Sequence, residues 1–418
     1  MNASSPSAQR GMILIEQGRY PDAEKFFRES LAQNPIDAPV LYYLAVCELN
    51  QHKPKDALGT VDRALALEPE VDSFHALRGM VLVDLKRTGE AKASIEEALR
   101  LDPDNDFAYV ALAALHISKN QWADAEKAAR RALDINPENS VAANQLAHTL
   151  RLQNRLQESM DRTDYMLAQN PEDANAHCAA GWTALQRGEQ KKAEEHFLEA
   201  LRLEAGSVSA REGLKESFKA RAPLYRAYLN YCFFMQRFTE GKQWLVVIGL
   251  IVGVRLAQQF LPPLIALFVI ALYFLFVLWV HVARAVGNLQ LTFDRLARHA
   301  LSLGEKLEAY FVGGGVVLGL LLVMIGALGG VPVALIVGIT LIGTGFPLAY
   351  VFTNRSIYGR LLFGTAAAFV LFMGGANVAS YFQGFPLGAW VPSLTGLAGL
   401  VVIGVTWLCA VPALNRRG

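Results

Sequence analysis

Apolar positions are distributed in two ways along this chain. Up to about residue 220 they recur with the spacing of short amphipathic helices, and from about residue 243 they merge into long runs. The first part repeats. Prolines stand at Pro35, Pro69, Pro103, Pro137 and Pro171, each 34 residues after the last. Small residues return at Gly11, Ala45, Gly79, Ala113, Ala147 and Gly181, and again at Ala23, Ala57, Ala91, Ala125, Ser159 and Ala193. One leucine register is complete: Leu31, Leu65, Leu99, Leu133, Leu167 and Leu201. Two short helices cannot bury their apolar faces alone, so stacked neighbours must supply the core. Small residues let paired helices touch, and proline ends the second helix and turns the chain. The pattern predicts an all-α solenoid of six units over residues 4–220, closed by a solvating cap helix at Val208–Lys219.

These registers resemble the tetratricopeptide repeat (TPR), with units near 4–37, 38–71, 72–105, 106–139, 140–173 and 174–207. The sequence departs from that pattern at Ala205, where a sixth proline is due, and at Ser7, His75, Ala143 and His177, where large aromatics are due. The resemblance implies that first helices line a concave groove through their second, fifth, ninth and twelfth positions. Here those are Tyr42, Val46, Leu49, Met80, Val83, Phe107, Val110, Ile117 and Trp182, with Asn144, His148 and Arg151 in unit five. A largely apolar groove suits a protein partner presenting a peptide or an amphipathic helix. It lacks the Lys/Arg/Asn set by which some TPR co-chaperones hold a C-terminal carboxylate. The alternative is that residues 208–240, or superhelix packing itself, fill these positions.

The second part predicts a six-helix transmembrane bundle over residues 243–414. Its six apolar stretches, about 244–260, 264–285, 311–328, 332–352, 361–379 and 393–414, are each near the roughly 20 residues that cross a bilayer. Charge divides with hydropathy. Residues 1–220 carry 26 Lys+Arg and 34 Asp+Glu, whereas 221–418 carry 13 and 4. Every basic loop residue falls in alternate connections: Arg221, Arg226, Arg237 and Lys242; Arg284, Arg295, Arg298 and Lys306; Arg355 and Arg360; Arg416 and Arg417. The intervening turns at 261–263, 329–331 and 380–392 are uncharged. By the positive-inside rule both termini face the cytosol, as expected of a bacterial inner (plasma) membrane protein. The opening residues lack a basic and an apolar signal region, which places the repeats on the same side.

The join at 221–242 interleaves aromatics with arginine, and 288–310 alternates leucine with basic residues; both read as helices lying in the headgroups, or as segments packed on the array or on each other. Small-xxx-small pairs at Gly249/Gly253, Gly315/Gly319 and Gly326/Gly330 suit helix packing in lipid, within the bundle or in a homo-oligomer.

Candidate chemistry is sparse. No P-loop, GxGxxG, HExxH, GxSG or nucleophile–base arrangement is present, and no dense basic stripe points to nucleic acid. Cys47, Cys178, Cys232 and Cys409 are scattered, and His75, His116, His148 and His177 lack metal-ligand spacing, so neither metal nor cofactor is expected. The expected spans hold no Asp or Glu, which argues against ion-coupled transport. Two polar residues remain inside them. Arg255 stands roughly 16–17 Å along the first span, within reach of the outer headgroups beside Gln258 and Gln259. Asn377 is placed to hydrogen-bond between helices. Together these features predict a non-enzymatic, membrane-tethered scaffold, the alternative being a channel, lipid-handling or transport domain regulated by its repeats.

Overall fold

The computed structural model describes residues 5–238, 240–294, 297–352, 354–383, 398–402, 404–405 and 408. It forms two compact units. The first comprises Met1–Arg187 with Glu199–Gly206 and Phe233–Gln243; the second comprises Gly188–Leu198, Ser207–Cys232 and Trp244–Gly418.

The first unit is a solenoid of paired helices: α1 Pro6–Glu16 with α2 Tyr20–Gln33, α3 Ala38–Asn50 with α4 Pro54–Leu67, and α5 Asp72–Asp84 with α6 Thr88–Leu101. α7 Asp106–Ser118 pairs with α8 Trp122–Ile135, then α9 Ser140–Leu152 with α10 Leu156–Gln169, and α11 Ala174–Arg187 follows. The 34-residue period governs the helix ends as well. Asp37, Asn105, Asn139 and Asp173 precede first helices, and each side chain accepts the backbone N–H three residues on, supplying a partner that the helix itself cannot. Neighbouring units are tied at the same level, since the Asn105 amide donates to Asp72 and the Asn139 amide to Asp106, the latter at 2.9 Å.

The turn inside each unit is left-handed. Gly18, His52, Lys86, Asn120, Asn154 and Gly188, again 34 apart, all have positive φ. After each of the first five, the next N–H donates to a carbonyl five residues back, as from Lys53 to Glu48 and from Arg87 to Leu82. The small-residue registers do what their spacing predicts: a Cβ on Gly11 would come 2.7 Å from the Phe27 ring, and one on Gly79 2.5 Å from Ile95.

Helix α12, Gln190–Leu203, is divided between the two units. The second unit continues through α13 Val208–Lys219, α14 Pro223–Gln236, α15 Glu240–Phe260, α16 Pro263–Thr292, α17 Leu303–Gly329, α18 Pro332–Leu348 and α19 Ile357–Gln383. Among the described residues four helices are long and apolar enough to cross a membrane: Lys242–Phe260, Pro263–Thr292, Leu303–Gly329 and Ile357–Phe382. Pro332–Leu348, at 17 residues, is shorter than the stretch expected at 332–352. The sixth expected stretch, 393–414, lies mostly outside the described residues, as do Arg295, Cys409, Arg416 and Arg417.

Helices α17 and α18 meet through small residues on both sides. A Cβ on Gly326 would stand 2.5 Å from the Leu335 nitrogen, and one on Gly338 2.6 Å from the Gly319 carbonyl. The close approach therefore uses Gly319, Gly326 and Gly338, whereas Gly249, Gly253 and Gly315 face open space. Gly330, at φ 67°, ends α17 and lets Pro332 start α18 at once.

The third span is expected from about 311; the helix that carries it, α17, begins at Leu303 and includes Glu305 and Glu308, with a π-helical turn over Glu308–Gly314. The segment 288–310 is likewise packed: Leu291, Ala297 and Leu301 share a buried cluster with Phe218 and Leu214 of α13.

Candidate protein-binding groove and a buried charge network

On α3, Tyr42 stacks on Phe74 at 5.5 Å and meets Tyr43 edge-on, while Val46 and Leu49 lie half-buried beside it. Met80, Phe107 and Ile117 continue the half-buried apolar positions on α5 and α7, but Val83 and Val110 lie in the packed interior. The array thus keeps an accessible apolar stripe over its second to fourth units.

Its polar end is on α9 and α11. Asn144 donates to the Ser140 carbonyl at 3.0 Å, and its buried Oδ1 has no hydrogen-bond partner. His148, one turn on, reaches solvent; the protein crowding around it, and then Arg151, lower its pKa. Arg151 is 8% exposed. Its Nη1 donates to Gln186 Oε1 at 3.1 Å, the Gln186 amide donates back to the Arg151 carbonyl at 3.4 Å, and its guanidinium carbon lies 6.0 Å from the Trp182 ring centre. Burial pulls this arginine down to about 10.

The other repeat histidines serve turns. His75 and His177 place Nε2 at 2.8 and 3.1 Å from the carbonyls of Pro69 and Pro171, and His116 pairs with Gln121. Among the described residues no three His, Cys, Asp or Glu side chains are grouped to hold a metal ion. Arg237, from the expected headgroup segment, is fixed at two inter-helix turns of the array: its carbonyl accepts from the Trp122 indole at 3.0 Å and its guanidinium donates to Asn154 at 2.6 Å.

In the second unit Arg255 is exposed and donates to Gln258 Oε1 at 3.4 Å. It does not line the cavity of about 210 Å³ that Tyr231, Trp244, Tyr273, Phe276 and His281 help to enclose. Asn377 is half-buried and donates to the Met373 carbonyl one turn back at 2.8 Å.

A set of buried charges that sequence reasoning missed lies where α13 and α14 meet α16 and α17. Lys215 donates to Glu212 at 2.6 Å and to Glu305 at 2.9 Å, and Arg284 lies 3.9 Å from Glu305. Lys219 pairs with Glu216 at 3.0 Å, and Glu216 also accepts the Tyr225 hydroxyl at 2.7 Å. Gly287 makes this approach possible, since a Cβ there would stand 2.6 Å from the Tyr225 ring and 3.0 Å from Lys219 Cδ. Burial works against the charged form of Lys215, yet Glu212 and Glu305 outweigh it and raise its pKa. Burial likewise raises Glu216, but Lys219, Tyr225 and Arg284 more than reverse that and hold it below the usual carboxylate range. Beside them Asn288 is fully buried with neither amide atom hydrogen-bonded. The signal in the sequence is the pair of lysines on the buried register of α13, but Lys215 and Glu305 are 90 residues apart.

Residues 14–81 and 82–147 match the tetratricopeptide repeat family. Among solved structures the chain is similar to a thermophilic TPR protein of Thermus thermophilus, with 22% identity over 44% of this chain and 100% of that one and a TM-score of 0.41. It is similar to YrrB, described as a TPR protein with an unusual peptide-binding site, with 24% identity over 45% of this chain and 97% of that one at a TM-score of 0.31. PilF of Pseudomonas aeruginosa shows 22% identity over 49% of this chain and 94% of that one at a TM-score of 0.37. No curated protein matches the chain.

Proposed function

From an array of tetratricopeptide repeats joined to apolar helices, we propose that this chain is a membrane-embedded scaffold that holds a protein partner in the groove of the array at the cytosolic face. The observation that carries the reading is the coexistence, in one chain, of an accessible apolar stripe on the first helices and of helices whose apolar side chains point outward. Along Pro263–Thr292 only 6% of the most apolar window is buried, and Leu264 is 82% exposed. Water does not tolerate a surface of that extent, whereas lipid does. In this proposal residues 4–220 are the soluble array, 221–242 the join, and 243–414 a multi-pass bacterial inner-membrane domain with both termini cytosolic. Arg255, exposed and paired with Gln258, fits a residue reaching for headgroups.

The test is photo-crosslinking in cells from a benzophenone amino acid at Trp182, Tyr42 or Ile117 against one at the exposed Tyr165 of α10. Groove positions giving a discrete adduct that Tyr165 does not give would support the scaffold. Equal recovery from all four would refute groove binding.

One observation favours a second reading, in which the membrane domain handles a polar solute or lipid under control of the array. The π-helical turn at Glu308–Gly314 brings a carboxylate into a span-bearing helix near the buried charges, and such turns often mark functional sites. Solute flux into vesicles that Glu308→Gln abolishes without loss of folded protein would favour it over the scaffold.

A further inference from the structure

Two helix hairpins of the second unit are built differently. Helices α17 and α18 close on each other through Gly319, Gly326 and Gly338, as small residues allow in lipid. The glycines of α15, Gly249 and Gly253, meet nothing within 4 Å, so α15 and α16 make no such closure. The faces lining the gap between them are nonetheless regular. Trp244, Val247 and Leu250 recur at helical spacing on α15, as do Tyr273, Phe276 and Val280 on α16.

The gap has two compartments that share Leu250, Tyr273 and Phe276. The first is the cavity of about 210 Å³, walled by rings: Tyr231 of α14 meets Phe276 edge-on at 5.2 Å, and Trp244, Tyr273 and His281 join them. The second, an open cleft of about 400 Å³, continues past Gly253 and Val254 to Val269 and is aliphatic apart from the shared rings. From Trp244 to Val254 the helix rises roughly 15 Å, about half of a hydrocarbon core. The polar groups stand at the Trp244 end. They are the Tyr231 hydroxyl and His281, whose Nδ1 lies 2.7 Å from the Val277 carbonyl. A carbonyl only accepts, so Nδ1 carries the hydrogen and the imidazole is anchored to its own helix. An ionisable residue inside a span is a functional candidate by default.

Among the described residues neither compartment is lined by Lys, Arg, Asp or Glu, so a charged phosphate headgroup would find no counter-charge there. Aliphatic walls would suffice for an acyl chain, whereas rings add offset and edge-on contacts to a flat ring. We infer that the α15–α16 hairpin binds an uncharged, ring-headed membrane lipid of the quinone class, its ring among Tyr231, Trp244, Tyr273 and Phe276 and its apolar tail along the cleft at Gly253 and Val269. The Tyr231 hydroxyl donates to a ring carbonyl, an acceptor that a hydrocarbon chain lacks. The inference rests on the membrane-embedded reading of these helices and is independent of the groove.

The test uses the full-length protein in phospholipid nanodiscs and a photoreactive azidobenzoquinone with a decyl tail. Labelled peptides are mapped by mass spectrometry while decyl benzoquinone, or decanol as the tail without the ring, competes. Labelling is saturable, falls within residues 231–254 and 269–281, and is blocked by the quinone at concentrations at least about tenfold below those of decanol, the return on one or two ring contacts. Tyr231→Phe, which keeps the ring beside Phe276, weakens competition by the quinone about three- to tenfold, the worth of one hydrogen bond, and leaves that by decanol unchanged. Equal competition by decanol makes the gap an acyl-chain crevice and overturns the ring assignment. Unsaturable labelling, or labelling spread over the other spans, overturns the site. An unchanged Tyr231→Phe overturns the hydroxyl contact. A chain that stays in buffer without detergent and does not enter nanodiscs overturns the membrane reading, and the site with it.

Discussion

Gly79 and Gly59 belong to neighbouring helices of the same array, yet an added methyl group meets opposite surroundings. At Gly79 it would overlap Ile95, whose branched side chain is locked between α5 and α6. Gly79→Ala should destabilise the third unit by about 1–3 kcal/mol, the range for overpacking a core. Gly59 is exposed in the middle of α4 with nothing within 4 Å. Gly59→Ala should stabilise by about 0.5–1 kcal/mol through helix propensity alone. Hydrogen exchange on the whole protein, read peptide by peptide over residues 54–101, distinguishes the two; unchanged exchange in Gly79→Ala would refute the packing account of Gly79. Lys86 supplies a third case. A lysine at φ 60° is strained in a place where the first and sixth units carry glycine, so Lys86→Gly should leave stability unchanged or raise it by up to about 1 kcal/mol. A clear loss would show that its side chain contributes more than the strain costs. Sequence periodicity found the glycines that meet neighbours, because close approach repeats with the unit. It did not find the left-handed register, because glycine, histidine, lysine and asparagine all occur there and no one residue type repeats through it.

Between elements, the contact of α13 with α16 and α17 rests on charges as much as on Phe218, Leu291 and Leu301. Lys215→Met removes a cation from between two carboxylates and leaves Glu305 buried without it, a loss of about 3–5 kcal/mol for pairs of this kind. The double variant Lys215→Met/Glu305→Met should recover most of that, since a matched apolar pair needs no counter-charge. If the double variant is no better than the single, the cost lies in packing. The same contact should depend on acid. Glu216 has its pKa lowered in the folded protein, so its stabilisation is complete above the ordinary carboxylate value of 4.5 and is lost as pH falls through the lower folded value. Lys215, raised, acts in the other direction and loses its contribution only as pH rises past the ordinary lysine value of 10.5. Exchange protection of residues 208–219 should therefore be flat from about pH 6 to pH 8 and fall below about pH 4.5, with Glu216→Gln reducing the acid step and Glu305, whose burial is outweighed by Lys215 and Ser302 so that its pKa is also lowered, supplying the remainder. The sequence concealed this element-level feature because a span boundary set by hydropathy stops where charges begin. Glu305 and Glu308 fall outside the expected third span for that reason, although one helix runs on through them.

At the scale of the whole molecule, a reading from hydropathy is strongest where burial is weakest. The helices Lys242–Phe260 and Pro263–Thr292 were legible because their side chains are apolar on nearly every side, and the most apolar stretch of each holds almost no buried residue in the folded chain. The groove was legible only through family resemblance, and the residues assigned to it divide into accessible ones such as Tyr42 and Trp182 and interior ones such as Val83 and Val110. The sidedness of the chain makes the sharpest demand on the proposal, since it follows from loop charge alone. In a background where Cys47, Cys178, Cys232 and Cys409 are replaced by serine, a cysteine at Gly329, in an uncharged turn, should react with an impermeant maleimide on intact cells. A cysteine at Tyr358, beside Arg355 and Arg360 and 79% exposed, should react only after permeabilisation. Reaction of both from the outside, or of neither, would break the hairpin arrangement. Reaction in the reverse sense would invert the chain and put the array on the outer side of the membrane, where a cytosolic partner could not reach it.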